Sequence, residues 1–193
     1  MAGRPKSFDM DKALDAFVDV FWTKGYQNTS IDDLQAAAGI KRGSFYATFG
    51  SKDDVFATIL EKYWHEATEL GLSHMDSAPD PRQAVAGLIR HVGTFMSRNI
   101  PRGCLLLTSS GNTVSEQTND AAIARERMGM LEKRIFDTLA RDDSLSEDKA
   151  RDLAAFAVSC LLGLNALARL GQPSEKILAA ADYGAGFFET PGI

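Results

Sequence analysis

Cysteine is scarce in this 193-residue chain: Cys104 and Cys160, 56 positions apart, are the whole complement. Two thiols without a CxxC pair build neither a disulfide framework nor a zinc or redox centre, and a reducing cytoplasm is expected. Histidine is hardly commoner, and His65, His74 and His91 share no ligand spacing with a carboxylate or thiol. His65-Glu66 lacks the second histidine of an HExxH zinc helix, and no GxGxxG, P-loop or GxSxG occurs. No cofactor and no metal are therefore expected, and a helical enzyme is the weaker class. Long apolar runs are also missing. The longest uncharged stretch, between Asp152 and Arg169, has 16 residues including Ser159 and Asn165, short of the roughly 20 that span a bilayer. The polar, basic start Met1-Ala2-Gly3-Arg4-Pro5-Lys6 has no apolar signal core behind it. A soluble protein without membrane attachment is expected. Nor is there a basic excess: 21 basic against 26 acidic side chains leave a net charge of -5. Any nucleic-acid binding must use a local patch.

What the chain does have is helical periodicity broken by glycine. Leu14, Phe17, Val18, Phe21 and Trp22 follow one face of an amphipathic helix, with Asp9 or Asp11 at its start and Gly25 as its stop. Ser30 and Asp33 are spaced as a capping box for a short helix that ends at Gly39. A third helix is expected from Arg42 to Phe49. Gly39-Ile40-Lys41 leaves about three residues between them, as in a helix-turn-helix. Ser51 with Asp54 repeats the cap for a fourth helix burying Val55, Phe56, Ile59, Leu60 and Tyr63. A breaker-rich stretch is expected from Ser73 to Pro81, and helical periodicity then resumes to the end. An all-α fold of about nine helices follows, with a DNA-binding unit over 1–52 and a larger helical unit over 53–193.

Charge is uneven along the chain. Up to Lys52 there are seven basic and six acidic side chains, a net +1, against fourteen and twenty beyond it, a net -6. From Ala38 to Lys52 the charges are Lys41, Arg42 and Lys52, with no acid, and Arg4 and Lys6 precede the first helix. Positive charge gathered on one short helix is the footprint that DNA phosphates require. Lys41 and Arg42 open that helix, where recognition helices meet bases and the dipole favours phosphate. Gly43 and Ser44 allow close approach, and Ser44, Tyr46 and Thr48 carry hydroxyls. Phe45 and Phe49 are spaced to pack inward.

The run Thr29 to Phe56, with Ala38-Gly39, Gly43, Phe45-Tyr46, Phe49 and Lys52 followed by acids and an apolar residue, resembles the TetR family of bacterial transcriptional regulators. The likeness covers residues 8–60 strongly, and the rest in length and helical character. It implies phosphate contacts at Ser30, Ser44, Tyr46 and Lys52 and base-reading positions at Arg42, Gly43, Ala47 and Thr48, with Lys41 beside them. Gln35 and Lys41 depart from the family's usual small residues and bear on DNA contact.

The segment Leu153 to Ala168 is apolar on nearly every face and must be covered all round. Small residues Ala155, Ala157, Ser159, Gly163 and Ala166 admit another helix. With the final helix it predicts a four-helix interface between two copies, through 146–171 and 174–189, as the resemblance also implies. Twofold pairing predicts an inverted-repeat operator with half-sites about 34 Å, one helical turn, or a multiple apart. The resemblance further implies a small-molecule effector site that controls DNA release. Trp64, Phe95, Met96, Cys104, Leu107 and Met128 are its candidate lining, apolar and polarizable. Gly103-Cys104-Leu105-Leu106 resembles a subset of the family, some members of which sense electrophiles or oxidants through a cysteine. Arg102 and a helix start beside Cys104 would favour its thiolate, whereas Cys160 reads as inert packing. An enzyme, or a protein-binding adaptor with an incidental basic helix, are the rival classes.

Overall fold

The computed structural model describes residues 8–106 and 119–190, and all regular structure among them is helical. The helices are α1 (Met10–Lys24), α2 (Ile31–Ala38), α3 (Arg42–Phe49), α4 (Lys52–Tyr63), α5 (Leu70–Ser77), α6 (Pro81–Arg98), α7 (Asn119–Leu139), α8 (Glu147–Arg169) and α9 (Ser174–Glu189). Caps account for most of the starts. Asp9 accepts from the backbone of Asp11 and Lys12. Ser30–Asp33 and Ser51–Asp54 each form a reciprocal capping box. Asp80 caps a helix with proline in its first turn, and Ser146 caps α8. The Ser51 hydroxyl and backbone N–H both donate to Asp54, holding its carboxyl below the usual range.

One boundary departs from expectation. The helix expected to break at Ser73 runs to Ser77, joined to α4 through a π-helical segment, Trp64–Glu69. Serine interrupts a helix less than proline does. The Ser77 hydroxyl bonds back to the Ser73 carbonyl, and only Ala78 to Asp80, around Pro79, separates α5 from α6.

Phe17, Phe21, Leu34 and Phe45 form the fully buried centre of the N-terminal part. Phe17 meets Phe45 and Phe49 edge-on at 5.9 and 5.1 Å. Each such ring contributes about 1.5–3 kcal/mol by leaving water, so α3 is held from beneath while its upper face stays free. In the C-terminal part α6 lies against α9 so closely that a Cβ on Gly93 would sit 2.3 Å from the Ala181 methyl. Arg90 on α6 closes that pair with a two-pronged bond to Glu189 at 2.6 and 2.8 Å. By length and mean hydropathy α8 is apolar enough to cross a membrane. Here Leu153, Ala157, Leu161, Leu164 and Ala168 are buried within the bundle. Ala157, expected among the small residues facing a partner, thus faces the core instead.

Candidate nucleic-acid interface and effector cavity

The turn between α2 and α3 is made by Gly39, whose left-handed backbone (φ 65, ψ 29) closes α2 onto the Gln35 carbonyl. This sends α3 outward with Lys41, Arg42, Gly43, Tyr46 and Ala47 exposed and Ser44 and Thr48 half-buried. Lys41 stands at the N-cap position with no side-chain cap, so the first N–H groups of α3 face outward uncovered by it. Arg42 lies over the Tyr46 ring at 5.6 Å and 3.8 Å from the Asp32 carboxylate. A Cβ on Gly43 would meet no atom of the protein within 4 Å. Glycine there is not required by internal packing, while it weakens the helix. Its absent side chain leaves room for a body outside the chain.

Two sequence-derived positions are differently occupied. Ser30 spends its hydroxyl proton on Asp33 and receives the Asp33 N–H. Asp33 is held far below its usual pKa, first by Lys24 at 2.6 Å and then by Ser30. Lys52 is half-buried; its ammonium donates to the carbonyls of Tyr26 and Thr29 at 3.1 and 3.0 Å and lies 4.2 Å from the Tyr26 ring. It therefore ties the start of α4 to the α1–α2 turn. Gln35 turns its amide nitrogen inward, buried and without a hydrogen-bond partner among the described residues.

At the far end of α4 lies an apolar cavity of about 80 Å³. Trp64, Phe95, Met96, Cys104 and Met128 all line it, and Leu107 lies outside the described residues. The sequence did not point to Tyr63, Leu88, His91, Val92, Leu106, Leu131 or Leu161, which line it too. No Asp, Glu, Lys or Arg borders it among the described residues. The Tyr63 hydroxyl is hydrogen-bonded to the Cys104 sulfur and receives the Leu105 N–H. Burial, with Cys104 adding to it, holds the Tyr63 phenol far above its usual range. Arg102 is committed to α1, 2.8 Å from Asp19 and stacked over Trp22 at 5.6 Å. The guanidinium expected to act on Cys104 thus serves a contact between elements. Burial pushes the Cys160 thiol up.

The two regions meet at the turn around Gly103. The Trp22 indole N–H on α1 donates to the Gly103 carbonyl at 3.1 Å, and its ring packs on Phe95 and Tyr63 at 6.2 and 5.5 Å. Gly103 has a left-handed φ of 70, and a Cβ there would lie 2.4 Å from Asn165 Oδ1; only glycine fits. The same Asn165 oxygen accepts the Cys104 N–H at 2.7 Å. Trp22, the cavity wall and α8 therefore meet at one turn.

Residues 13–59 match the family of bacterial regulatory proteins described as tetR. Over 186 residues the chain is 30% identical to the HTH-type transcriptional repressor ComR of Escherichia coli (strain K12), covering 93% of this chain and 88% of that one. The repressor BdcR of the same organism is 28% identical over 180 residues, covering 93% and 88%. Among solved structures, a cysteine-substituted TetR family regulator CifR, complexed with 26-bp double-strand operator DNA, is similar at a TM-score of 0.86. It is 31% identical, covering 95% of this chain and 98% of that one. The open basic face of α3 and these likenesses agree: the chain belongs to the TetR family of bacterial regulatory proteins and is a DNA-binding transcriptional regulator, not an enzyme.

Proposed function

We propose that the protein is a cytoplasmic repressor that binds an inverted-repeat operator as a twofold homodimer and leaves it when a small apolar molecule enters the cavity beside Tyr63. The single observation that carries this is α3: an acid-free helix, anchored from below by Phe45 and Phe49, that presents Lys41, Arg42 and an unobstructed Gly43. In this reading Arg42, Gly43, Ala47 and Thr48 face base edges. Lys41, Ser44 and Tyr46 contact phosphates, and Ser30 and Lys52 act mainly by fixing the frame around α3. Residues 1–52 are the DNA-binding unit and 53–193 the effector and dimerisation unit, with α4 belonging physically to both.

The dimer face is the exposed uncharged row Ala155, Phe156, Ser159, Leu162, Gly163 and Ala166 of α8 with Ala179, Ala180, Tyr183 and Phe187 of α9. Tyr183 is 85% exposed, which an isolated chain has no use for. Retardation of the chain's own promoter DNA tests the central reading. Binding should weaken steeply with salt and be lost in Lys41→Ala/Arg42→Ala; retention of full binding by that variant would refute it.

A second reading is favoured by one contact. Cys104 lines the cavity, its side chain hydrogen-bonded with that of Tyr63, where a molecule admitted to the cavity would meet it. Here the Gly103–Leu106 run marks a thiol-sensing subset, and an electrophile reaching the cavity modifies Cys104. Under brief maleimide treatment of the native protein, Cys104 should be labelled well before Cys160; an unmodified Cys104 eliminates this reading.

A further inference from the structure

A second hollow, about 340 Å³, adjoins the first, lined by Met75, Ala78, Gln83, Ala84 and exposed Gly87 and sharing Leu88 and His91 with it. The inner chamber alone, about 80 Å³, falls well short of the roughly 300–1,000 Å³ of ordinary ligand sites. Gln83, Gly87, His91 and Phe95 recur every fourth residue along α6, so they form one inclined row that winds about 120° around it. The row starts at exposed Gln83, Gly87 and His91 and ends at Phe95, which stacks on Trp22.

Gly87 carries the argument. It sits in mid-helix, where glycine is destabilising relative to alanine. A Cβ there would meet nothing within 4 Å, so packing does not demand it. What its absent side chain does is keep the outer hollow clear.

We infer that the two hollows are one ligand channel along α6, with Gly87 as its open mouth and His91 as its polar station. The occupant is a neutral, flat, mostly apolar molecule, its ring system inside against Phe95 and a hydrogen-bonding group level with the His91 imidazole. Neutrality follows from the lining, which among the described residues has no Asp, Glu, Lys or Arg in either chamber, so a buried charge would lack a partner there. The channel rests on the effector reading above and adds its route and ligand class.

Stopped-flow uptake of the fluorescent, uncharged N-phenyl-1-naphthylamine is the test. Gly87→Trp should slow uptake roughly tenfold or more, Gly87→Ala should slow it less than Gly87→Trp does, and both should retard promoter DNA normally. Wild-type uptake by Gly87→Trp overturns the channel. Val92→Trp, which fills the inner chamber, separates the two levels. If it binds the dye as the wild type does, or the wild type binds none, the cavity is no binding site and both readings fall. If it loses the dye while Gly87→Trp loads normally, the cavity stands and the channel is wrong. His91→Leu should erase a preference for 2-naphthol over naphthalene; an unchanged preference removes His91 from the site.

Discussion

Replacing Lys52 and Arg42 by alanine, one at a time, should separate a scaffold cation from a DNA-facing one. The Lys52 ammonium bonds two carbonyls at 3.1 and 3.0 Å and faces the Tyr26 ring. Hydrogen bonds from charged groups are worth about 1.5–3 kcal/mol when well shielded. Lys52 is half-buried and its two carbonyls regain some water, so a combined loss of about 2–3 kcal/mol is expected for Lys52→Ala. Arg42 touches Asp32 at 3.8 Å with side chains 70% and 81% exposed, a pair worth roughly 0–0.5 kcal/mol. Arg42→Ala should therefore unfold as the wild type does.

On DNA the order reverses. If Arg42 reads a base edge, its loss costs about 1–3 kcal/mol per half-site; if it meets a phosphate, the log–log salt slope falls by about 0.9 per protomer. Urea unfolding at one protein concentration, since dimerisation feeds into stability, and fluorescence anisotropy with promoter DNA across a KCl series give both readouts. A Lys52→Ala protein of full stability, or an Arg42→Ala protein that loses stability but keeps its salt slope and affinity, would refute the reasoning.

Trp22→Phe keeps a ring against Phe95 and removes the bond to Gly103. It should cost about 1–2 kcal/mol in urea and, in release assays with a cavity ligand, weaken the link between ligand binding and DNA release; unaltered release with lowered stability would make Trp22 purely structural. Tyr183→Asp combined with Phe187→Asp should give monomers by sedimentation velocity and abolish high-affinity operator binding, because single half-sites lose the paired contact. Asp142 is held down to about 2 by the Ser144 hydroxyl, then by Arg82 at 2.7 Å and the Ser144 N–H. A depressed carboxylate stabilises fully above its unfolded value of 3.8 and loses that contribution as pH falls toward about 2. Asp142→Asn should cost on the order of 2 kcal/mol at neutral pH and flatten the stability profile between pH 4 and 2; an unchanged acid limb would contradict this.

The helix starts at Asp9, Ser30, Ser51 and Ser146 were legible because each rests on a local device, a side chain bonding backbone within three residues of itself. The outward face of α3 was legible too, since the spacing of Phe45 and Phe49 fixes which side packs. The continuation of helix through Trp64–Glu69 to Ser77 was not, because a wide turn has no residue signature and serine is ambiguous between cap and interior. The scaffold role of Lys52 was hidden for another reason: its carbonyl partners belong to backbone 26 and 23 positions away, and backbone acceptors leave no trace in composition. The same holds for Trp22 and Gly103, 81 positions apart. His91 was missed as a cavity residue because its exposure and polarity imitate an ordinary surface position.

The fourth helix has a mechanical consequence. Phe56 near its beginning is packed on Phe21 and Tyr26 of the N-terminal core, and Tyr63 at its end borders the apolar chamber. Seven residues of helix separate them, a rod about 10 Å long with no hinge inside it. A tilt imposed at one end must arrive at the other with little attenuation; under the proposed function, an occupant of the chamber acts on the DNA-facing unit through this one stiff lever.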